Sequence, residues 1–267
     1  MYKAVFVDID KTLLNSSGQV TQNTILAIKK AKEKGIKIII ISGRSRMSAI
    51  NFKELSSGYM VNCNGADIYD CVNNEVLFQS VIEPGICKKL YQIAEKNDCV
   101  IKLDFGLSRA VNKSGYLENY EIEMTENIDK FLQENNVVQI AICHENLEKI
   151  EELKKYINGF ENIAVINQFI WNVNNKVMNS IHITNKNVSK GNAMIGMCEF
   201  LKIDLKDVIA IGDKGNDVSM IQAAGMGVAM QNATDDVKSV ADFITNSNEE
   251  DGVAKVLEKI LNENSDK

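Results

Sequence analysis

Short uninterrupted apolar runs, each followed by a segment of helical spacing, open the chain. Ala4-Val5-Phe6-Val7 is an all-apolar run of the kind buried on both faces of a parallel sheet. Thr21 to Lys34 then predicts a helix: Thr21 or Asn23 supplies the cap, Ile25 and Ile28 the apolar stripe, and Gly35 the stop. Lys37 to Ile41 predicts a second buried strand, Ser45 to Leu55 a helix, and Tyr59 to Asn62 a third strand. Strand and helix alternating with short joints is the pattern of an α/β parallel sheet.

After about residue 82 the pattern changes. Ile86 to Lys96 has helical spacing, but Cys99 to Phe105 and Arg109 to Asn112 then follow as two strands in close succession. Val137 to Cys143, Ile163 to Val173 and Val177 to Thr184 predict further strands, with a helix at Leu147 to Ile157. In the last strand Val177, Asn179, Ile181 and Ile183 share one face, and Met178, Ser180 and His182 the other. Neighbouring strands without intervening helices predict an antiparallel sheet with helices on one side, an α+β insert. From Ser189 the first pattern returns: a helix to Leu201, strands at Val208 to Ile211 and Gly227 to Met230, helices from Asp217 and over Thr234 to Ala241, an extended Asp242 to Thr245, and a closing helix Gly252 to Asn262.

Composition narrows the function classes. Thirty Lys+Arg against 36 Asp+Glu give the 267-residue chain a net charge of −6, which argues against nucleic-acid binding through a basic surface. No run approaches the roughly 18–20 apolar residues of a membrane span, and MYKAVFVDID lacks a signal peptide's apolar region, so a cytoplasmic location is expected. The cysteines, Cys63, Cys71, Cys87, Cys99, Cys143 and Cys198, match no zinc spacing and read as small apolar fillers. With only His144 and His182 available, a metal site would be built from carboxylate oxygens around a hard cation.

Two carboxylate groups follow buried strands. Asp8 and Asp10 end the first, and residues i and i+2 of a strand point to the same side. Asp213, Asn216 and Asp217 follow the strand Val208 to Ile211, with Gly212 and Gly215 allowing a tight turn. Either group alone also fits a polar strand exit with helix-capping residues. Together, at strand ends where α/β sheets bind ligands, they suit a divalent cation or divided nucleophile and acid–base roles. Ser42-Gly43-Arg44 follows the second buried strand and fits either a simple Ser cap or a phosphate cradle. Lys190, opening a helix where the dipole disfavours a cation, faces either solvent or an anionic site.

These parts resemble, in family order, the four motifs of the haloacid dehalogenase (HAD) phosphatase superfamily: Asp8-Ile-Asp10-Lys-Thr12-Leu-Leu14, Ser42-Gly-Arg44, Lys190-Gly191 and Gly212-Asp213-Lys-Gly-Asn216-Asp217. Asn64-Gly65-Ala66, Ala224-Gly-Met-Gly-Val-Ala-Met230 with Asn232-Ala233, and Glu250-Asp-Gly-Val-Ala254 further resemble the Cof-type subfamily with a class IIB cap. The resemblance implies an α/β, Rossmann-like parallel-sheet core of residues 1–83 and 188–267, interrupted by an α+β cap at 84–187. Pro84 would stand at the cap's entry and fix the linker's direction.

The resemblance further implies Mg²⁺-dependent phosphoryl transfer. Asp8 would attack phosphorus to form an aspartyl-phosphate, and Asp10 would protonate the leaving alcohol and then activate water. Asp8, the Asp10 carbonyl and Asp213 would hold Mg²⁺, with Asp217 and Asn216 completing or orienting the metal site. Ser42, Gly43 and Asn216 would hold phosphate oxygens, Arg44 would reach substrate or a cap carboxylate, and Lys190 would offset the charge on Asp8 and the phosphoryl group. The implied substrate is a small phosphorylated metabolite, sugar phosphates foremost, for a monomer or homodimer with no nucleic-acid or membrane partner. A phosphomutase of the same fold, or a non-catalytic phosphometabolite-binding regulator, stands as the alternative. The mutase would need an Arg-rich phosphate site in the cap, where Arg109 is the only arginine.

Three positions depart from the family pattern. Lys11 replaces the commoner glycine, which would cost about 1 kcal/mol if φ there is positive. Ser42 replaces Thr with the hydroxyl kept, and His182 stands where relatives often carry Glu and is expected to be a surface residue. Phe169, Trp171 and Met178 are candidates for a cap pocket or for cap core, and the acidic stretch from Glu118 to Glu126 is expected to be solvated.

Overall fold

The structure, a computed structural model, describes residues 2–117, 121–124, 127–173 and 176–263, without the side chains of 167–169, 171–173 and 263. Two compact units divide the chain. Met1–Gly43, Ala49–Leu77 and Ser189–Lys267 form the first, and Arg44–Ser48 with Phe78–Val188 the second. Along the chain the strands are β1 (Ala4–Val7), β2 (Lys37–Ile41), β3 (Tyr59–Asn62), β4 (Asp67–Asp70), β5 (Glu75–Gln79), β6 (Val100–Phe105), β7 (Ser108–Val111), β8 (Glu121–Glu123), β9 (Gln139–His144), β10 (Ile163–Val173), β11 (Lys176–Asn185), β12 (Val208–Gly212), β13 (Met226–Ala229) and β14 (Phe243–Ile244).

The first sheet runs β14-β13-β12-β1-β2-β3-β4-β5. Its strands from β14 to β3 are parallel. Ile38 to Ile41 and Phe6 are at most 1% exposed, which is why these segments read as continuous apolar runs. Burying each such side chain contributes roughly 1.5–3 kcal/mol. The helix Gln22–Glu33 is capped by Thr21, whose side chain accepts from the Thr24 amide. It packs on the closing helix Gly252–Glu263, while Lys190–Leu201 packs on Val218–Ala223. From β1 the chain steps outward to β2 and β3, then resumes on the other side of β1 with β12. Ligand sites of parallel sheets lie at the carboxyl ends of the strands flanking such a reversal. Asp8 and Asp213 immediately follow those two strands.

Two local differences from the sequence reading fall between β2 and β5 along the chain. The helix expected at Ser45 to Leu55 is a short α segment, Arg46–Ala49, followed by a 3₁₀ segment, Ile50–Leu55. Beyond β3 the sheet continues through β4, antiparallel to β3, and β5. β4 has no apolar run: it reads Asp-Ile-Tyr-Asp, and its buried Asp67 accepts a hydrogen bond from the buried Asn62 amide at 3.1 Å.

The second unit holds a sheet of order β10-β11-β9-β6-β7-β8, antiparallel except between β7 and β8. Helices Pro84–Lys96, Ile128–Glu134 and Leu147–Ile157 pack on one face, placing Leu90, Phe131 and Ile150 against Ile101, Ile140, Ile142 and Ile181. Pro84 is the first residue of its helix, where a missing N–H leaves no bond unmade. The alternation expected in β11 holds: Ile181 and Ile183 join this core, whereas Met178 is buried with Val100, Val111 and Cys143. Phe169 and Trp171, the other pocket candidates, have side chains outside the described residues.

The opposite face of this sheet carries a charge network. Lys102 and Arg109 pair with Glu121 at 3.0 and 3.1 Å, Arg109 with Asp104 at 2.5 Å, and Gln139 donates to Asp104 at 3.1 Å. Glu121 is therefore not solvated as its acidic neighbourhood suggested: two cations on adjacent strands draw its carboxylate inside. His182 is half-buried rather than a surface residue, and burial pushes its imidazole down to about 4. All six cysteines are free, and among the described residues no helix is long and apolar enough to cross a membrane.

Candidate active site

The first unit alone assembles the two carboxylate clusters. The Asp8 amide donates to the Ile211 carbonyl at 3.1 Å, so the ends of β1 and β12 are held side by side. Asp8, Asp213 and Asp217 are buried, and each offers a carboxylate oxygen within 4.8 Å of the others. Lys190 lies among them, fully buried, its Nζ donating to Asp8 Oδ1 and Asp217 Oδ1 at 2.5 Å each. Ser189 sets this lysine in place, because its side chain caps the helix by accepting from the Asn192 amide at 3.1 Å.

Three carboxylates share one ammonium, and the titration of Asp8, Asp213 and Lys190 reflects it. Burial pushes Asp8 well above the ordinary carboxylate range; Lys190 opposes that rise, and Asp217 and Asp213 add to it. Asp213 is pushed up to about 6, by burial first and then by Asp217. Burial lowers Lys190, but Asp217 and Asp8 outweigh it, so the ammonium stays charged. Hard oxygen donors with too few cations around them fit a divalent ion.

Asp217 has both oxygens engaged. Oδ1 takes Lys190, while Oδ2 accepts the Asp213 and Lys214 amides at 2.9 and 3.0 Å. That geometry shapes the loop carrying Asp213. Gly212 makes it possible: a Cβ there would lie 2.4 Å from Asp217 Cγ. Thr12 donates to Asp213 Oδ1 at 3.2 Å, joining the first and fourth motifs. Asp10 sits between Asp8 and Thr12 in the turn Ile9–Leu13, in extended geometry, with Lys11 left-handed at φ 61°.

Ser42 is buried at the end of β2, and Gly43 follows. The Ser42 carbonyl accepts the Asn64 amide at 2.9 Å, and Asn216 Nδ2 donates to Asn64 Oδ1 at 2.8 Å. Asn64 thus links the Ser42-Gly43 loop to the fourth motif. Arg44 begins the segment 44–48 that groups with the second unit. The structure therefore brings Asp8, Lys190, Asp213 and Asp217 into direct association, with Asn216 tied to Ser42-Gly43 through Asn64. Thr12 and Asn64 lie inside quoted motifs but carry no sequence signal of their own for these contacts.

A Rossmann-like parallel sheet interrupted by an α+β unit, with buried carboxylates and a lysine at its strand reversal, defines a hydrolase class that works on phosphate esters. Residues 5–257 match the family model of haloacid dehalogenase-like hydrolases, and the chain belongs to that family, as a phosphatase hydrolase of the Cof type. It is 30% identical to the 5-amino-6-(5-phospho-D-ribitylamino)uracil phosphatase YcsE of Bacillus subtilis, over 96% of this chain and 94% of that protein. Among solved structures it resembles a haloacid dehalogenase-like hydrolase from Bacteroides thetaiotaomicron, with a TM-score of 0.83 and 25% identity, covering 97% of this chain and 100% of the other. It also resembles the HAD subclass IIB sugar phosphatase BT4131, with a TM-score of 0.76 and 25% identity, covering 97% and 98%.

Proposed function

We propose that the protein is a Mg²⁺-dependent phosphatase of small phosphorylated metabolites, sugar phosphates foremost, working through an aspartyl-phosphate. The observation that carries this reading is Asp8: a buried carboxylate at the sheet's reversal point, held at 2.5 Å by buried Lys190 and flanked by Asp213. Asp8 attacks phosphorus, and the bond to the leaving oxygen breaks as Asp10 gives that oxygen a proton. Asp10 then takes a proton from the water that hydrolyses the aspartyl-phosphate. Ser42, the Gly43 amide and Asn216 bind phosphoryl oxygens, and Lys190 balances the charge gathered on Asp8 and phosphate. Asp8, the Asp10 carbonyl and Asp213 would hold Mg²⁺, and Asp217 fixes the loop that presents Asp213. When bound, the ion supplies charge neutralisation for an anionic nucleophile meeting an anionic ester.

Residues 84–187 are assigned the role of a cap that selects substrate. Sugar phosphates are favoured by the likeness to a subclass IIB sugar phosphatase. A mutase is disfavoured because Arg109, the single cap arginine, is already paired with Asp104 and Glu121. The test is phosphate release from an aryl phosphate and a panel of sugar phosphates, nucleotides, pyridoxal phosphate and flavin mononucleotide. Turnover should require Mg²⁺, stop with EDTA and vanish in Asp8→Asn. A folded wild type that is inert across the panel and binds no Mg²⁺ overturns the reading.

A further inference from the structure

One buried amide in the first unit has a donor with no acceptor. Asn64 is 1% exposed, and its Nδ2 has no hydrogen-bond partner, although its Oδ1 accepts from Asn216 at 2.8 Å. Buried N–H groups are nearly always paired, because an unpaired one forfeits its hydration for nothing. The backbone is unusual too. Cys63, Asn64 and Gly65 have φ of 50°, 57° and 110°, so three consecutive residues turn left-handed between β3 and β4. Asparagine tolerates that conformation better than most side chains, but still at a cost. A strained backbone holding an unsatisfied donor is a combination that persists where the group has a task.

The surroundings of the donor indicate the task. A Cβ at Gly43 would lie 3.1 Å from Asn64 Nδ2, so the amide runs alongside the Gly43 backbone, and the absence of a side chain there leaves it room. The Asn64 amide nitrogen is anchored to the Ser42 carbonyl, which prevents the turn from drifting away. Asn216 occupies the acceptor end and leaves the NH₂ end to face outward from that bond. The donor therefore stands between two elements proposed to bind phosphate, with nothing of the described protein accepting from it.

We propose that Asn64 is a phosphate ligand whose Nδ2 donates to a phosphoryl oxygen brought by the substrate. The inference rests on the phosphatase reading and adds a residue to it. A neutral amide suits this place, since it gives a hydrogen bond independent of pH without further shifting the charge balance around Asp8 and Lys190.

Two substitutions compatible with positive φ test it. Asn64→Gly removes the amide, whereas Asn64→Asp keeps the oxygen that Asn216 needs and loses the donor. Each is compared with wild type, in Mg²⁺, by inhibition of aryl-phosphate hydrolysis with inorganic phosphate and by the phosphate-induced rise in melting temperature. Loss of one hydrogen bond to a charged acceptor should weaken phosphate inhibition and lower kcat/KM by about 10- to 100-fold in Asn64→Gly. The loss should be larger in Asn64→Asp, whose carboxylate repels phosphate. Without phosphate the melting temperature of Asn64→Gly should not fall, whereas a purely structural role predicts a fall with unchanged inhibition. Variants that bind phosphate as wild type does, while wild type hydrolyses the ester, overturn the role of Asn64 alone. If Asn64→Gly does not fold, the isosteric Asn64→Asp decides the matter by the same two measurements. A wild type that neither hydrolyses the ester nor responds to phosphate overturns the phosphatase reading and this proposal with it.

Discussion

Lys11 holds a conformation that favours glycine, φ 61° and ψ 13°, between Asp10 and Thr12. Its carbonyl accepts from Asn232 Nδ2 at 2.8 Å, and this bond pins the turn that carries Asp10. Replacing Lys11 by Gly should raise stability by about 0.5–1 kcal/mol, and Lys11→Val should lower it by about 1–2 kcal/mol, because a β-branched residue tolerates this region least. Urea unfolding of the two variants checks the pair; equal midpoints would show that the turn relaxes. At this scale the sequence was legible where chemistry resides in residue type. Asp8 and Asp213 stand out by charge and by position after apolar runs, and Lys190 as a cation opening a helix. Asn64 does not, because its amide acquires meaning from Asn216, 152 residues away.

Among the elements, β1, β2 and β3 match the segments read from the sequence, since buried parallel strands consist of little besides aliphatic side chains. The strands β4 and β8 escaped that reading for the opposite reason. β4 buries aspartates satisfied by Asn62 and by the turn at Val72-Asn73, and β8 a glutamate paired with Lys102 and Arg109, and neither leaves an apolar pattern. β11 was legible in its alternation but not in what its polar face meets. There His182 is held in the neutral form, chiefly by burial, near Asp104, Arg109 and Lys102. Its folded pKa of about 4 lies below the unfolded value, so the unfolded chain takes up a proton first as pH falls. The stability it contributes is complete above about pH 6.5 and is lost as pH drops toward 4, by up to roughly 2–3 kcal/mol. His182→Gln should flatten that acid-side decline in melting temperature. A slope unchanged from wild type would show that burial does not hold the imidazole below its ordinary range.

At the scale of the molecule, a hydrophobic core of its own in each unit predicts two unfolding transitions in calorimetry. The carboxylate cluster belongs to the first unit, so Mg²⁺ should raise one transition and leave the other in place. At a hundred times its dissociation constant, a ligand adds about 2.7 kcal/mol. The gain should grow with pH. Asp213, pushed up to about 6, favours the folded state while protonated, and that contribution is lost as pH rises through 6. In EDTA the first unit should therefore weaken between about pH 4 and 7, and Mg²⁺ should restore it at the alkaline end. A single transition that shifts as a whole would show the two units unfolding as one.

The central place of β1 has a consequence for how the protein is made. Asp8 and Lys190 are 182 residues apart, and β12, the neighbour of β1 on one side, is synthesised only after the whole second unit. Until then a nascent chain carries β1 as an open edge, able to pair with another copy. It carries Asp8, the proposed nucleophile, without the Asp213 carboxylate or the loop that Asp217 shapes. No translation intermediate that stops short of β12 can possess part of the activity. A product truncated before β12 should be inert and adhesive, since the carboxylate cluster is complete only once Asp217 has been made.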